Sequence, residues 1–238
     1  MIKLENLTKV YGKDHKAVDD LNLTIQPGQI VGFIGPNGAG KTTTIKMMTG
    51  ILAPTAGTVT INGHDIKTDA IAAKSLFGFV SDNPNAFLKL KGIEYLNFMA
   101  DMYEVDESTR KERIEHYTRL LKIDQVLNKK IASYSHGMRQ KIMVVGTLLH
   151  DPYLLILDEP LTGLDPQSAF TLKELMKERA AAGKIVFFST HVLEVAEKLC
   201  HEIAIVNHGK IVYNGTLEAL KAEHQNLSLE EIFLEVTA

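Results

Sequence analysis

The sequence predicts an α/β fold, a parallel sheet covered by helices and interrupted midway by a helical insertion. Three observations lead there. An apolar run, Gln29–Ile34, passes through a glycine-rich turn into a helical stretch, Lys41–Met48, that stops at Gly50. Two buried-strand runs, Tyr153–Leu157 and Lys184–Ser189, flank a helix over Pro166–Ala182, which is the βαβ unit of a parallel sheet. Between these regions, from Asn85 to His150, the apolar spacing changes to the helical period: Ile93, Leu96, Met99 and Tyr103, then Ile114, Tyr117, Leu120 and Leu121.

In chain order, Ile2–Leu7 alternates as a strand, Ala17–Ile25 is a second strand and Ile30–Ile34 a third. Thr58–Asn62 reads as a strand closed by an Asn62-Gly63 turn, and Leu76–Val80 as a further apolar strand. The core is left near Pro84 and resumed near Pro152. After the βαβ unit, Ile203–Asn207 and Lys210–Asn214 form a hairpin through His208-Gly209, and Ser228–Val236 a short terminal helix. The expected division is one domain over 1–238. Residues 1–84 and 151–220 form the core, 85–150 the helical part and 221–238 the tail.

The 238 residues suffice for one large domain or two small ones, and the 45% hydrophobic content is that of a globular chain. A net charge of −3 gives no broad attraction to nucleic acid or anionic lipid. The single cysteine, Cys200, excludes an internal disulfide and reads as a packed core residue suited to a reducing compartment. The N-terminus does not read as a secretory signal, and no apolar run is long enough to span a bilayer, so a membrane role requires a partner.

Gly35-Pro36-Asn37-Gly38-Ala39-Gly40-Lys41-Thr42-Thr43 fits the loop that wraps the phosphates of a nucleoside triphosphate with backbone N–H groups. The helix that follows turns its positive end to the anion. Lys41 adds positive charge and the Thr42 hydroxyl suits Mg²⁺. Leu154–Leu157 then carries Asp158 and Glu159 at its C-terminal end, where open α/β sheets bind ligands. Asp158 suits the metal, and Glu159 is placed to orient and deprotonate a water. An Asp-Glu pair by itself also reads as a helix cap or a surface turn; its place after a buried strand favours chemistry. In Ser135-His136-Gly137-Met138, Ser135 caps a helix, and its hydroxyl and the Gly137 N–H form a second anion site. One chain needs only one triphosphate clamp, so the site suits the γ-phosphate of another copy. An ordinary capped helix is the alternative.

Together these motifs resemble the ATP-binding cassette (ABC) ATPase family, in its order and spacing and over essentially the whole chain. The resemblance implies a P-loop NTPase (RecA-like) core with an antiparallel β subdomain and an inserted α-helical subdomain, binding ATP and Mg²⁺. It makes Gly35–Thr42 the Walker A loop, Leu155–Glu159 the Walker B strand with its catalytic glutamate, and Tyr134–Met138 the signature. Tyr11 is then the ring that stacks on adenine, and Gly163-Leu164-Asp165 the D-loop at a dimer interface, with Asp165 among the nucleotide-contacting residues. His191 is the switch histidine, catalytic with Glu159 and Lys41. Two positions depart from the pattern. His136 and Met138 replace the usual signature residues, while Ser135 and Gly137 are kept. Asp82 stands where the family has a metal-touching glutamine; it reaches a metal but lacks an amide donor.

The implied partners are a second cassette, head to tail, and a membrane-spanning subunit that holds the chain at the cytoplasmic face of the cell membrane. The single cassette and the short tail favour an exporter of drug, antibiotic or peptide-like cargo. A soluble scaffold of the iron–sulfur assembly type is the alternative, distinguished by whether a pulldown recovers a multi-span protein. Phe87, Leu88, Leu90 and Tyr95 are candidates for the partner groove.

Overall fold

The computed structural model describes residues 1–224 and 227–237; part of the expected tail at 221–238 lies outside them. The chain opens with two long antiparallel strands, β1 (Ile2–Tyr11) and β2 (His15–Ile25), whose Ile2, Leu4, Leu21, Leu23 and Ile25 all turn inward. β3 (Ile30–Ile34) is buried throughout and feeds α1 (Lys41–Met48). β4 (Ala56–Ile61) and β5 (His64–Asp65) follow around Asn62-Gly63, where both residues have positive φ, as a two-residue hairpin turn requires. α2 (Ala70–Ser75) then precedes β6 (Phe77–Val80).

Residues 81–153 hold α3 (Gly92–Met102), α4 (Glu107–Leu120), two short 3₁₀ turns and α5 (His136–Leu148). The chain returns in β7 (Leu154–Asp158), α6 (Pro166–Ala181), β8 (Ile185–Thr190) and α7 (Leu193–Leu199). It ends in the hairpin β9 (Glu202–Asn207) and β10 (Lys210–Gly215), then α8 (Leu217–Glu223) and α9 (Leu229–Thr237).

Two sheets result. One is antiparallel, ordered β2-β1-β4-β5. The other has the order β10-β9-β3-β8-β7-β6, parallel except for the edge strand β10. The second sheet is covered on both faces, which explains its unbroken apolar runs. Leu154, Ile156, Ile185 and Phe187 pack toward β1 and β2, while Leu155, Leu157, Val186 and Phe188 pack toward α3, α5 and α6. The fold is α/β, as expected. The C-terminal ends of β3, β7 and β8 all point the same way because β8 runs parallel to both of the others.

The structure differs from the sequence reading in several places. α2, α7 and α8 were not anticipated; each is only six or seven residues long. Of the proposed groove residues, Phe87 is exposed, but Tyr95 is 3% exposed with its ring against Gly146, so it is a core residue and no contact surface. Among the described residues no helix is long and apolar enough to cross a membrane.

Candidate active site

The loop between β3 and α1 is shaped by close approach. Gly40 has φ +104°, and a Cβ there would lie 2.4 Å from the Ala17 carbonyl oxygen, so only glycine fits. No side chain caps α1 at this residue, which leaves the first N–H groups of the helix to an anion. Behind them the Ala39 N–H donates to the Pro36 carbonyl at 3.2 Å, and the Gly209 N–H donates to the Ala39 carbonyl at 3.0 Å. Lys41 is 8% exposed and its ammonium donates to the carbonyls of Gly35 (2.6 Å) and Pro36 (3.1 Å). Burial lowers its pKa, against the opposing charges of Glu159 and Asp158.

Those carboxylates stand at the end of β7, which lies across β8 from β3. Asp158 is buried, and its pKa is raised chiefly by that burial. The Ser189 and Thr42 hydroxyls act to lower it, and the nearby charge of Asp82 raises it further. Glu159 leaves the strand with φ +48°, a left-handed conformation. Its Oε1 lies 2.9 Å from Nδ1 of His191, which follows β8. Asp82, just after β6, accepts a hydrogen bond from the Ser81 hydroxyl at 2.9 Å.

One cleft of about 380 Å³ gathers Tyr11, His15, Asn37, Gly38, Gly40, Lys41, Thr42, Thr43, Asp82, Asp158 and Glu159. A larger groove, of about 890 Å³, lies between α3 and α4, remote from this chemistry. The glycine cradle, the uncapped helix start and the buried ammonium fit a polyphosphate. Two carboxylates beside the Thr42 hydroxyl fit a hard divalent cation bound with it. Tyr11 is half exposed and stacks on His15, ring centroids 6.5 Å apart, at the mouth of the β1–β2 hairpin.

Ser135, Gly137 and Asp165 are not among the residues lining this cleft. Ser135 caps α5 by accepting the Met138 N–H at 3.3 Å, and no acidic residue occupies the first turn. Gly137 approaches the loop before α6 so closely that a Cβ would sit 2.6 Å from the Gly163 carbonyl oxygen. Within the chain Asp165 is engaged locally. Its carboxylate caps α6 through the Ser168 N–H and receives Lys141 Nζ at 3.0 Å, so it is already used within the chain. Three residues escaped the sequence reading: Ser189, hidden at the end of an apolar run; His15, whose hairpin position opposite Tyr11 was its only signal; and Lys141.

A buried cation at a helix start, facing two strand-end carboxylates, is built for a nucleoside triphosphate and makes this fold a P-loop NTPase. Comparison with known proteins narrows the class: the ABC transporter family model matches residues 18–162, and the chain belongs to that family. It is an ATP-binding subunit and an ATPase, and its nucleotide is ATP, taken with Mg²⁺. It is similar to Nod factor export ATP-binding protein I of Cupriavidus metallidurans, with 35% identity over 90% of this chain and 71% of that protein. Among solved structures, an ATP binding subunit of an ABC transporter aligns with a TM-score of 0.95 and 31% identity over the whole of both chains. The dimeric cassette MJ0796, in a post-hydrolysis state bound to ADP and Pi, aligns with a TM-score of 0.81 and 25% identity, over 91% of this chain and 99% of that one.

Proposed function

We propose that this chain powers an ABC exporter as one of two cassettes that close head to tail over ATP. The observation that carries the pairing is the separation of the two anion sites. The loop at Gly35–Thr43 shares a cleft with Asp158 and Glu159, whereas Ser135 and Gly137 are not in that cleft. A second copy would supply its own Ser135 hydroxyl and Gly137 N–H to this chain's γ-phosphate. The dimeric relative MJ0796 supports this arrangement.

In this scheme the N–H groups from Gly35 to Thr43 and the Lys41 ammonium hold the phosphates, and Tyr11 stacks on the base. Thr42, Asp158 and Asp82 would hold Mg²⁺, which when bound would neutralise charge on the phosphates. Glu159 orients the attacking water and takes its proton, with His191 fixing the carboxylate from the other side. Most of the rate enhancement comes from positioning and charge stabilisation, because the transferring phosphoryl group needs little covalent help.

Export, as opposed to import, is supported by the similarity to an export ATP-binding protein, with a drug, antibiotic or peptide-like cargo. The chain would sit at the cytoplasmic face of the membrane through a membrane-spanning subunit, docked on the insertion near Phe87, Leu88 and Leu90. Glu159→Gln tests the core of the scheme. With MgATP it should lose turnover, retain nucleotide and elute from size-exclusion chromatography as a dimer. Hydrolysis at the unaltered rate, or a monomer that binds ATP, would overturn it.

A further inference from the structure

The β7–β8 register sets Asp158 directly beside Ser189, and Ser189 is fully buried. The four residues before it, Ile185, Val186, Phe187 and Phe188, are buried and apolar. A hydroxyl at the end of such a run is costly unless both of its functions are used. Both are. A hydroxyl has one proton and two lone pairs. The proton goes to Oδ1 of Asp158, and a lone pair accepts the N–H of Glu159 at 3.0 Å. These two bonds and the peptide joining residues 158 and 159 close a ring. Inside it, the Asp158 carboxylate and the Glu159 backbone cannot turn independently.

Glu159 needs such an anchor. Its φ of +48° is uncommon for a side-chain-bearing residue, and a bond to its N–H helps to hold it. That conformation carries the Glu159 carboxylate to His191. Without the Ser189 oxygen the Glu159 N–H would lose its partner, and the turn would lose the bond that holds it.

We infer that Ser189 is a positioning residue for ATP hydrolysis, locking the metal-side carboxylate of Asp158 and the water-side Glu159 into one fixed relation. It acts through these two neighbours. The inference rests on Asp158 and Glu159 having the roles proposed above.

The test compares steady-state MgATP hydrolysis and binding of a fluorescent ATP analogue in Ser189→Ala, Ser189→Cys and Ser189→Thr, alongside Glu159→Gln. Misplacing one reacting group by about an ångström costs up to about a hundredfold in rate. Ser189→Ala should therefore lower kcat by about ten- to a hundredfold, with KM and analogue affinity within about threefold of the unaltered protein. Ser189→Cys keeps the volume but is a weak hydrogen-bond former. It should show the same loss, and it is the variant to read if alanine leaves too little folded protein. Ser189→Thr restores the hydroxyl and should recover kcat to within about threefold. Unchanged kcat in the alanine or cysteine variant would overturn the inference, as would a threonine variant that folds, binds ATP and remains as slow as alanine. If Glu159→Gln hydrolyses ATP normally, the fault lies in the role given to Glu159. If Glu159→Gln is inactive and Ser189→Ala is fully active, only the role of Ser189 fails.

Discussion

Acidification from pH 7 to pH 4 should remove about 3 kcal/mol of stability through one side chain, His150. Its ring lies flat on Tyr103, centroids 3.6 Å apart and planes 6° from parallel, and its Nε2 donates to the Phe77 carbonyl at 3.2 Å. Burial pushes its pKa down from 6.5 to about 4; the bond to Phe77 opposes this and the nearby charge of Arg179 reinforces it. The unfolded chain takes up this proton near pH 6.5, but the folded chain resists until about pH 4. In that window the unfolded state holds the extra proton, so stability is intact above pH 6.5 and falls as the pH is lowered toward 4. A shift of about 2.5 units at 1.36 kcal/mol per unit gives the magnitude. His150→Gln keeps an amide donor for Phe77 and cannot ionise. At pH 7 it should be the less stable protein by about 1 kcal/mol, from the lost ring stacking. Carboxylates titrate in the same range in both proteins, so the informative quantity is the difference between them. Urea unfolding from pH 7.5 to 4.5 should show the gap closing and then reversing in favour of the variant. Parallel stability curves, or an imidazole that titrates near 6.5 by NMR in the folded protein, would refute the reasoning.

Gly40→Ala should abolish binding of a fluorescent ATP analogue, because its Cβ collides with a backbone oxygen at a positive φ; wild-type affinity would show that the loop can relax. Phe187→Ala, which empties a fully buried site between the two sheets, should cost about 3–5 kcal/mol in denaturant unfolding. Asp82→Asn removes a charge that faces Asp158 and should raise the Mg²⁺ concentration for half-maximal hydrolysis severalfold; an unchanged Mg²⁺ requirement would remove Asp82 from the metal site.

The central sheet was legible because it is buried on both faces, so its strands appear as continuous apolar runs bounded by glycine and charge. The β9–β10 hairpin was legible for a different reason. His208-Gly209 supplies the two positive φ values that a two-residue turn demands. The short helices α2, α7 and α8 span too few residues to establish a period. Tyr95 shows the limit of helical spacing, which marks a face but does not say whether an aromatic on it meets a partner or the core. In the site, Lys41, Asp158 and Glu159 were legible because local order along the chain places Lys41 at a helix start and the two carboxylates at the end of a strand. Asp165 has a local duty whose signal is also in the sequence. Asp-Pro followed by Ser168 is a helix start, and that local duty occupies its carboxylate. Ser189 stayed hidden because its role depends on which strand lies beside β8, and sequence spacing does not carry that information.

β6 and β7 are hydrogen-bonded neighbours, Val80 beside Leu157, although residues 81–153 intervene. Closing a loop of that length in an unstructured chain costs about 4 kcal/mol of entropy. Helices that fold locally and return their two ends to the same place remove most of that cost. During synthesis β6 leaves the ribosome well before β7, and until β7 arrives this edge strand has no neighbour on either side. The insertion therefore serves as the scaffold that completes this side of the sheet. Defects deep in α3 or α5, far from any phosphate, should appear first as lost yield of folded protein and only later as lost turnover in the molecules that survive.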